Sequence, residues 1–531
     1  MNLDTLYYGD CLEWMEQWPD ECVDLIYLDP PFNSNANYNI LFSNAVDSGE
    51  KAQYRAFNDT WHWDAAAAER YAAFRDAVAR PAHGAVVGLY RVLGESGMLA
   101  YITYMAERLE HMRRLLKPTG SIYLHCDPTA SHYLKIVMDA IFGTGNFRGE
   151  ISWKRATSSQ KGSQHAPRRW GSNRDIILHF AKTRDAQLKP FQKLTEKERK
   201  SKFNKTDDRG RRYYDDSAHI WRNPNMGARP NLCYEWRGFK NPHPSGWRLS
   251  KARLEEEYQK GNIVIRDDGK LERRKYEEDY RGLPIGNNWD DINPAAGNER
   301  IGYPTQKPLA LLERIVKASS NEGDVVLDPF CGCGTAIEAA MRLNRRWAGI
   351  DISSFAIDLI RNVRLKEPAI PAKGMPFDMV SARMLAREKP FDFESWAITR
   401  LPGFAPNTKK VGDRGIDGRA TLAHMPDDGE SRLALAQVKG GRFSLSALRD
   451  FIGVMNRDQA AVGCFITLEP VESREARAEA AKCGKASVLG VEYGRLQLWS
   501  IRDYFNSKRP EMPVMTNPYT GKVLDQTLSL F

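Results

Sequence analysis

A buried strand that ends on a carboxylate and two prolines is the feature that most constrains this chain. Residues 23–35 read VDLIYLDPPFNSN, an apolar run followed by Asp29, Pro30, Pro31 and Phe32. Proline has no N–H to donate to a sheet, so we predict that the strand ends at Asp29. A plain turn from strand to loop would use the same residues. A carboxylate, two rigid residues and an aromatic ring at the open end of a buried strand also suit a functional site.

Strand-like and helix-like stretches alternate on both sides of a polar region. Residues 1–150 alternate, residues 151–300 become polar, aromatic and rich in Gly and Pro, and residues 301–365 resume the alternation. Such alternation is typical of a parallel sheet with helices on both faces. We therefore predict a doubly wound α/β domain with an insert, a Pro-rich linker at 366–380, and a separate α/β domain at 381–531.

Length and charge narrow the class of protein. A chain of 531 residues is too long for one core, and its net charge of +9 favours a polyanionic partner. Basic residues are concentrated between residues 153 and 212, interleaved with Trp153, Trp170, Tyr213 and Tyr214. This pattern indicates a phosphate-tracking surface, although a solvated face would also explain it. No apolar run approaches a membrane span and no export leader is evident, so we expect a cytoplasmic protein without a membrane partner.

A glycine loop and a later acid form the second informative stretch, VVLDPFCGCGTAIEAAMRLNRRWAGIDIS. Gly332 and Gly334 let the backbone pass close to a ligand, and Thr335 is predicted to cap the next helix. Asp351 ends the following strand, where an acid can accept both hydroxyls of a ribose. Asp328 beside the loop would repel phosphate, but it suits the cationic sulfonium and amino group of S-adenosylmethionine.

Three segments in a fixed order carry a family resemblance: GDCLEWMEQWPDECVDLIYLDPPFN, YPTQKPLALLERIVKASS and GDVVLDPFCGCGTAIEAAMRLNRRWAGIDIS. Across residues 5–365 the chain resembles an amino-group DNA methyltransferase of the permuted β arrangement. In that family the DPP-aromatic motif precedes the glycine loop, and the target-recognition insert lies between them. The departure is Phe32, where Tyr is commoner.

The resemblance implies a set of cofactor-binding residues. Asp10 would hold the adenine amino group, Thr305 and Lys307 would line the methionine end, and Asp351 would take the ribose. The cradle would consist of Phe330, Gly332, Gly334 and Thr335. A strand-end or helix-cap role for Asp10 and a surface charge at Lys307 are the alternatives.

The DPPF segment is then interpreted as a clamp on an exocyclic amine. Such an amine is a poor nucleophile because its lone pair is delocalised into the base. Asp29 and the Pro30 carbonyl can accept its hydrogens, Pro31 makes the turn rigid, and Phe32 can stack on a base turned out of the duplex. Adenine N6 is the favoured target and cytosine N4 the alternative. The same chemistry could serve RNA or a protein glutamine, but the large basic insert favours double-stranded DNA as the substrate.

The tail contains a second candidate site. GDRGIDG presents Asp417, and the strand LALAQVK ends with Gln437 and Lys439. Asp417 and the Val438 carbonyl could ligate Mg²⁺, and Lys439 could orient an attacking water. A small α/β fold whose lysine meets only solvent is the alternative.

Residues 385–505 resemble the restriction-endonuclease-like domain of the Mrr type, which adds Glu394, Gln437 and Lys439 to the catalytic set. We therefore predict a site-specific DNA methyltransferase with a fused nuclease-like domain, from a restriction-modification or phage-defence setting. The rivals are a module that uses both folds only to grip DNA, and a methyltransferase whose tail only binds DNA. The sequence leaves the oligomeric state open, including a homodimer.

Overall fold

The computed structural model describes most of the chain. Its described residues are 1–31, 37–41, 53–58, 61–156, 172–301, 303, 305–407, 415–429, 431–518 and 523–524. Residues 1–188 and 287–531 form one compact unit, and residues 189–286 form a second. In the part of the chain described, no helix combines the length and apolar character needed to cross a membrane.

Strands and helices alternate over the first 181 residues. The strands are β1 (Thr5–Tyr8), β2 (Val23–Leu28), β3 (Asn37–Leu41), β4 (Gln53–Asn58), β5 (Leu116–Cys126), β6 (Phe147–Lys154) and β7 (Arg174–Ala181). The helices are α1 (Cys11–Glu16), α2 (Ala65–Asp76), α3 (His83–Leu93), α4 (Gly97–Leu115) and α5 (Ser131–Phe142). Asp10, Asp64 and Ser96 begin α1, α2 and α4 by accepting main-chain N–H bonds, the usual role of these residue types at helix starts.

Residues 189–286 have a separate small core. Their strands are β8 (Phe191–Gln192), β9 (Lys205–Thr206), β10 (Arg212–Asp215), β11 (Glu235–Trp236), β12 (Phe239–Lys240), β13 (Ile263–Ile265), β14 (Leu271–Tyr276) and β15 (Leu283–Pro284). The helices are α6 (Glu196–Lys202) and α7 (Lys251–Gln259). Trp236 and Trp247 pack with Leu254 and Ile263 in the core of this unit, so large aromatic side chains provide the buried area that a short segment needs.

The alternation resumes after residue 287. The elements are β16 (Asn288–Trp289), α8 (Leu309–Ser319), β17 (Val325–Asp328), α9 (Thr335–Arg342), β18 (Arg346–Asp351), α10 (Ser354–Leu359) and β19 (Ala372–Lys373). Among the described residues, nine strands form one sheet in the order β16-β6-β7-β5-β2-β17-β18-β1-β19. The run from β5 to β19 is parallel throughout, and β7 is antiparallel to both of its neighbours. The predicted doubly wound α/β sheet is confirmed.

The C-terminal region has its own sheet. Its elements are α11 (Met379–Glu388), α12 (Pro390–Thr399), β20 (Ala405–Pro406), β21 (Gly418–Thr421), β22 (Leu433–Lys439), α13 (Leu445–Arg457), β23 (Val462–Thr467), α14 (Arg474–Lys482), β24 (Lys485–Val488), β25 (Val491–Gly494), β26 (Leu496–Ser500) and α15 (Ile501–Phe505). In the part described, the sheet order is β20-β21-β22-β23-β26. Strands β22, β23 and β26 are parallel, as predicted for a second α/β domain.

The structural boundaries differ in two places from those expected. The insert predicted at residues 151–300 overlaps β6 and contains β7 and β16, which belong to the large sheet, while the separate compact unit spans 189–286. The segment predicted as a linker, 366–380, contains β19, which pairs with β1.

Two aromatic residues that were expected on a phosphate-tracking surface are buried instead. Trp153 and Tyr213 are only 3% and 6% exposed.

Candidate active site

Four aspartates lie where neighbouring parallel strands end. Asp29 follows β2, Asp328 ends β17, Asp351 ends β18, and Asp10 follows β1 by two residues. These strands are adjacent in that order, so their carboxyl ends meet at one edge of the sheet. All four aspartates line one cavity of about 410 Å³. The sheet therefore brings together residues that are more than 300 positions apart in the chain.

Asp29 is held by one oxygen and presents the other. Lys307 Nζ donates to Asp29 Oδ2 at 2.6 Å, and the two side chains are only 10% and 17% exposed respectively. Asp29 Oδ1 is buried and accepts no hydrogen bond from any described residue. A buried acceptor without a donor is costly, so an incoming N–H group would be bound favourably at this atom.

The residues predicted to act with Asp29 lie at the cavity where the structure describes them. Pro30 and Pro31 line the cavity immediately after Asp29, and Thr305 lines it close to Lys307. Phe32, the predicted stacking ring, lies outside the described residues. Lys307 is not a surface charge before a helix, because its ammonium group is buried against Asp29.

Asp351 is fixed by two main-chain donors. Gly332 N donates to Asp351 Oδ2 at 2.7 Å, and Ser353 N donates to Asp351 Oδ1 at 2.8 Å. Burial raises the pKa of Asp351 to about 6, although both hydrogen bonds act in the opposite direction. The carboxylate is therefore oriented before any ligand binds, and it is charged at neutral pH.

Asp328 has a different electrostatic state. Its side chain is 3% exposed, and Phe330 N donates to Oδ1 at 3.1 Å. Burial, followed by the charges of Asp29 and Asp351, raises the pKa of Asp328 well above its ordinary value. A positive charge on a ligand would lower this pKa again, since it stabilises the ionised form.

The two glycines of the loop are required by close packing. Gly332 and Gly334 adopt φ values of +49° and +76°. A Cβ at Gly332 would lie 3.3 Å from Tyr303 Cε1, and one at Gly334 would lie 2.7 Å from Ile360 Cγ1. The loop therefore passes close to side chains of the protein as well as to the cavity, and no other residue type fits these positions without strain.

The prediction that Thr335 caps the following helix is wrong. Helix α9 begins at Thr335, and the preceding Gly334 occupies the cap position without a side-chain bond. Thr335 Oγ1 instead donates to the Lys307 carbonyl at 3.3 Å. This bond ties the glycine loop to the segment that carries Lys307, because a hydroxyl inside the first turn can reach a neighbouring loop.

Asp10 has a buried partner that the sequence did not reveal. Both of its oxygens lie within 2.7 Å of Arg108 Nη2, and Oδ1 also accepts a bond from Leu12 N as the cap of α1. Arg108, 3% exposed, lies over the Tyr104 ring at 3.4 Å. The cap alternative for Asp10 thus holds together with its place in the cavity wall. An arginine inside the otherwise apolar face of α4 was the available signal.

A buried series of hydrogen bonds leads from the cavity wall into the protein, and the sequence did not reveal it either. Tyr27, which lines the cavity, has its hydroxyl 3.0 Å from His125 Nδ1, and His125 Nε2 lies 3.1 Å from Asp175 Oδ2. Burial acts against ionisation of Asp175, yet the hydrogen bond from His125 holds its pKa below the ordinary value. This network fixes the strand that carries Asp29, since β2 and β5 are neighbours.

The charges around the cavity select the kind of ligand. Among the described residues, five aspartates and one lysine line it. The lysine is already paired with Asp29. Arg108 pairs with Asp10, and burial favours the neutral form of Asp328, so the wall is less negative than its five carboxyl groups suggest. It still disfavours phosphate and favours a cation. The chemistry of the site is therefore that of a positively charged ligand beside a carboxylate that can accept an N–H bond.

The C-terminal region brings together part of the second predicted site. Val438 N donates to Asp417 Oδ2 at 2.7 Å, and Asp417 N donates to the Ala436 carbonyl at 3.0 Å. Gln437, 6% exposed, has a buried Oε1 that accepts no bond from a described residue. Lys439 ends the same strand and is half-buried.

Glu394 lies on α12, which packs closely on the strands that carry these residues. A Cβ at Gly418 would lie 2.6 Å from Ile398 Cδ1, and one at Gly440 would lie 3.0 Å from Phe393 Cδ1. Among the described residues no three His, Cys, Asp or Glu side chains are grouped to hold a metal. A cation here would depend on Asp417, the Gln437 amide oxygen and main-chain carbonyls.

Comparison with known proteins gives two family matches. The model of the DNA methylase family matches residues 23–362, and the model of a restriction endonuclease family matches residues 385–499. The first match covers the strands that carry Asp29, Asp328 and Asp351. The second covers Glu394, Asp417, Gln437 and Lys439.

Individual relatives match over part of their length. The type II methyltransferase M.EcaI of Enterobacter cloacae is 31% identical over 48% of this chain and 56% of its own. The Mod subunit of the type III restriction-modification enzyme StyLTI from Salmonella typhimurium is 28% identical over 64% of this chain and 49% of its own. The chain thus spans about half the length of these curated relatives. The solved structure of PvuII DNA methyltransferase (cytosine-N4-specific) is 12% identical, with a TM-score of 0.34, over 67% of this chain and 84% of its own.

Proposed function

Because the chain belongs to the DNA methylase family and carries a restriction endonuclease domain of the Mrr type, we propose that it methylates an exocyclic amine of a base in double-stranded DNA. The observation that carries this proposal is Asp29, with Oδ2 on Lys307 and Oδ1 buried without a donor. An amine hydrogen is the group that Oδ1 lacks. The preferred target is adenine N6, with cytosine N4 as the alternative.

The cavity fits S-adenosylmethionine as the methyl donor. Its volume of about 410 Å³ lies in the range of small-molecule sites. Asp351 is oriented by two main-chain bonds for the ribose hydroxyls, and the buried Asp328 favours a nearby positive charge. S-adenosylmethionine supplies an electrophilic methyl group on a positively charged sulfur. Asp10, Thr305, Phe330 and Thr335 line the same cavity and complete the proposed site.

The reaction requires the amine nitrogen to have an available lone pair. Asp29 Oδ1 would accept one amine hydrogen, and the Pro30 carbonyl would accept the other, which draws the lone pair out of conjugation with the ring. Lys307 keeps Asp29 oriented during this step. As the nitrogen gains the methyl group it must lose a proton, and the Asp29 carboxylate can accept it. No covalent intermediate with the protein is needed.

Residues 189–286 are proposed to read the DNA sequence. This unit carries 24 Lys and Arg against 16 Asp and Glu, a net +8, nearly the whole charge of +9 on the chain. Lys193, Lys197, Arg229 and Arg248 are exposed on it. A concentrated positive charge binds the phosphate backbone and keeps a reading surface on the duplex. DNA and the methyl donor meet in the cytoplasm, where we expect the protein to act.

The methyltransferase proposal can be tested on cellular DNA. We expect DNA from cells that express the chain to contain one methylated sequence, located by long-read sequencing. Nucleoside digestion and mass spectrometry would then distinguish N6-methyladenine from N4-methylcytosine. DNA from cells that express Asp29→Ala is the matched control. If the DNA of cells that make the folded wild-type chain contained neither N6-methyladenine nor N4-methylcytosine, the proposal would be contradicted.

A second activity, Mg²⁺-dependent DNA cleavage, is proposed for the C-terminal domain. It is supported by Asp417, which accepts a hydrogen bond from Val438 N, and by the preceding residue Gln437, whose buried Oε1 is an acceptor that a cation would satisfy. Mg²⁺ bound there would stabilise charge on the phosphate, with Lys439 orienting the water and Glu394 completing the acidic set. Methylated and unmethylated copies of the target should be incubated with Mg²⁺. If neither copy is nicked while Asp417→Ala behaves like the wild type, the domain only binds DNA.

A further inference from the structure

Helix α12 of the C-terminal domain is fixed against the cofactor side of the large sheet. The Tyr8 hydroxyl donates to the Asp392 main-chain carbonyl at 3.2 Å, and the hydroxyls of Ser354 and Thr399 lie 3.4 Å apart. The Arg400 guanidinium, just past the end of α12, pairs with the Asp358 carboxylate on α10. Tyr8 is also the register partner of Asp351. The helix therefore lies beside the strand end that carries the proposed ribose ligand.

Residues from this domain line the same cavity as Asp351. Asp392 and Ser395 come from α12, and Pro406 and Asn407 follow from β20. Asp392 and Ser395 are three positions apart and thus lie on one face of the helix. Both Asp392 and Asp351 lie close enough to Tyr8 to raise the pKa of its hydroxyl, after the larger effect of burial. The C-terminal domain therefore forms the cavity wall at the Asp351 end.

This wall is held in place from its other side. Asn407 N donates to the Asp417 carbonyl at 2.7 Å, and Asn407 Nδ2 donates to the Ile416 carbonyl at 2.8 Å. Main-chain carbonyls of its own domain therefore hold Asn407 in place before a ligand enters. An ordered wall can contribute binding energy, because little conformational freedom is lost when the ligand binds.

We infer that Asp392 and Ser395 are cofactor-contacting residues, so that the C-terminal domain supplies part of the S-adenosylmethionine site. This inference rests on the proposed function. The adenosine part of the cofactor carries N–H and O–H donors, and the Asp392 carboxylate and Ser395 hydroxyl are acceptors for them. The negative charge of Asp392 adds to a wall that already favours a cation over a phosphate.

The test uses the full-length chain and S-adenosylhomocysteine as the calorimetric probe. Asp392→Ala should weaken binding about tenfold, the loss of one charge-assisted bond. Tyr8 bonds to the main-chain carbonyl of Asp392, so this contact survives the substitution. Ser395→Leu, which fills the cavity from the same helix face, should weaken binding at least as much. Asp450→Ala removes an exposed carboxylate on α13 and is the control, with unchanged affinity expected.

Asp351→Ala separates the inference from the function on which it rests. If this variant loses affinity while Asp392→Ala and Ser395→Leu bind normally, the C-terminal domain is not part of the site, although the methyltransferase assignment stands. If Asp351→Ala also binds normally, the cofactor assignment itself is wrong. Thermal unfolding of each variant, followed with and without the probe, shows whether weaker binding reflects a lost contact or a misfolded domain.

Discussion

The pairing of Asp29 with Lys307 allows two roles of Asp29 to be tested separately: its proposed role as the acceptor that holds the amine, and its role in the stability of the fold. Asp29→Ala removes the acceptor for the amine and leaves Lys307, whose side chain is 10% exposed, without its carboxylate partner. Loss of one properly placed group that acts in the transition state costs about 10²–10³ in rate. Because Asp29 would supply both orientation and charge, we expect methyl transfer to fall by at least about 10³-fold.

The same substitution has a cost in stability. Breaking a buried ion pair by removing one partner costs about 3–5 kcal/mol, and the partial exposure of this pair places it at about 3 kcal/mol. Lys307→Met removes the cation in turn, so the double variant Asp29→Ala/Lys307→Met leaves no charge uncompensated. Denaturant unfolding should show that the double variant recovers much of the stability that Asp29→Ala loses.

Transfer of a tritiated methyl group to DNA, measured in the same proteins, distinguishes the two roles. If Asp29 is the clamp, the double variant regains stability and remains inactive. The affinity of the single variant Asp29→Ala for S-adenosylhomocysteine should then stay within about threefold of the wild-type affinity. If transfer returned together with stability, Asp29 would be a structural residue. Residual transfer near the wild-type rate in Asp29→Ala would refute the reasoning directly.

Four further outcomes are expected. Asp351→Ala should weaken S-adenosylmethionine binding by about 2–3 kcal/mol in calorimetry, because it removes a charged acceptor of hydroxyl bonds; unchanged affinity would refute the ribose role. The pKa of Asp351 is raised to about 6, so its proton is bound more tightly in the fold than in the unfolded chain and its carboxylate is lost as pH falls through that value. Cofactor affinity should therefore drop below about pH 6, and Asp351→Asn should not show this drop. Exchange of residues 189–286 for those of a relative should change the DNA sequence that is methylated. DNA binding should keep its steep salt dependence, with the logarithm of the binding constant falling against the logarithm of salt concentration by about 0.9 per phosphate contacted. An unchanged methylated sequence would show that recognition lies elsewhere in the chain. Asp417→Ala should abolish cleavage and spare methylation, as judged by nicking and methyl-transfer assays on one preparation.

The sequence was most informative where function depends on strand ends. The pair Pro30-Pro31 follows the end of β2, and the carboxyl ends of parallel strands lie at one edge of the sheet. The order of DPPF, glycine loop and acid was therefore enough to predict that Asp29, Asp328 and Asp351 would meet. The motifs of the tail also indicated that Asp417 and the strand carrying Gln437 could share a site, and Asp417 Oδ2 does accept a hydrogen bond from Val438 N on that strand.

Local chemistry was less informative where two local rules compete. Thr335 is a good cap residue by type, but Gly334 takes the cap position because the positive φ of the loop extends to it. The aromatic residues among the basic ones could serve either a surface or a core. Trp153 and Tyr213 are buried because β6 and β10 pair with other strands, a choice that composition does not encode.

What the sequence determined by itself is the set of chemical groups and the strand edge at which they meet. The tertiary structure decided which partner each group has: Lys307 on Asp29, Arg108 on Asp10, His125 between Tyr27 and Asp175. It also decided that α12 lies at the cavity wall, through a contact between residues almost 400 positions apart. Periodicity and motif spacing report on neighbours within one element. Packing between distant elements depends on the shape and charge of whole surfaces, which exist only once the chain has folded.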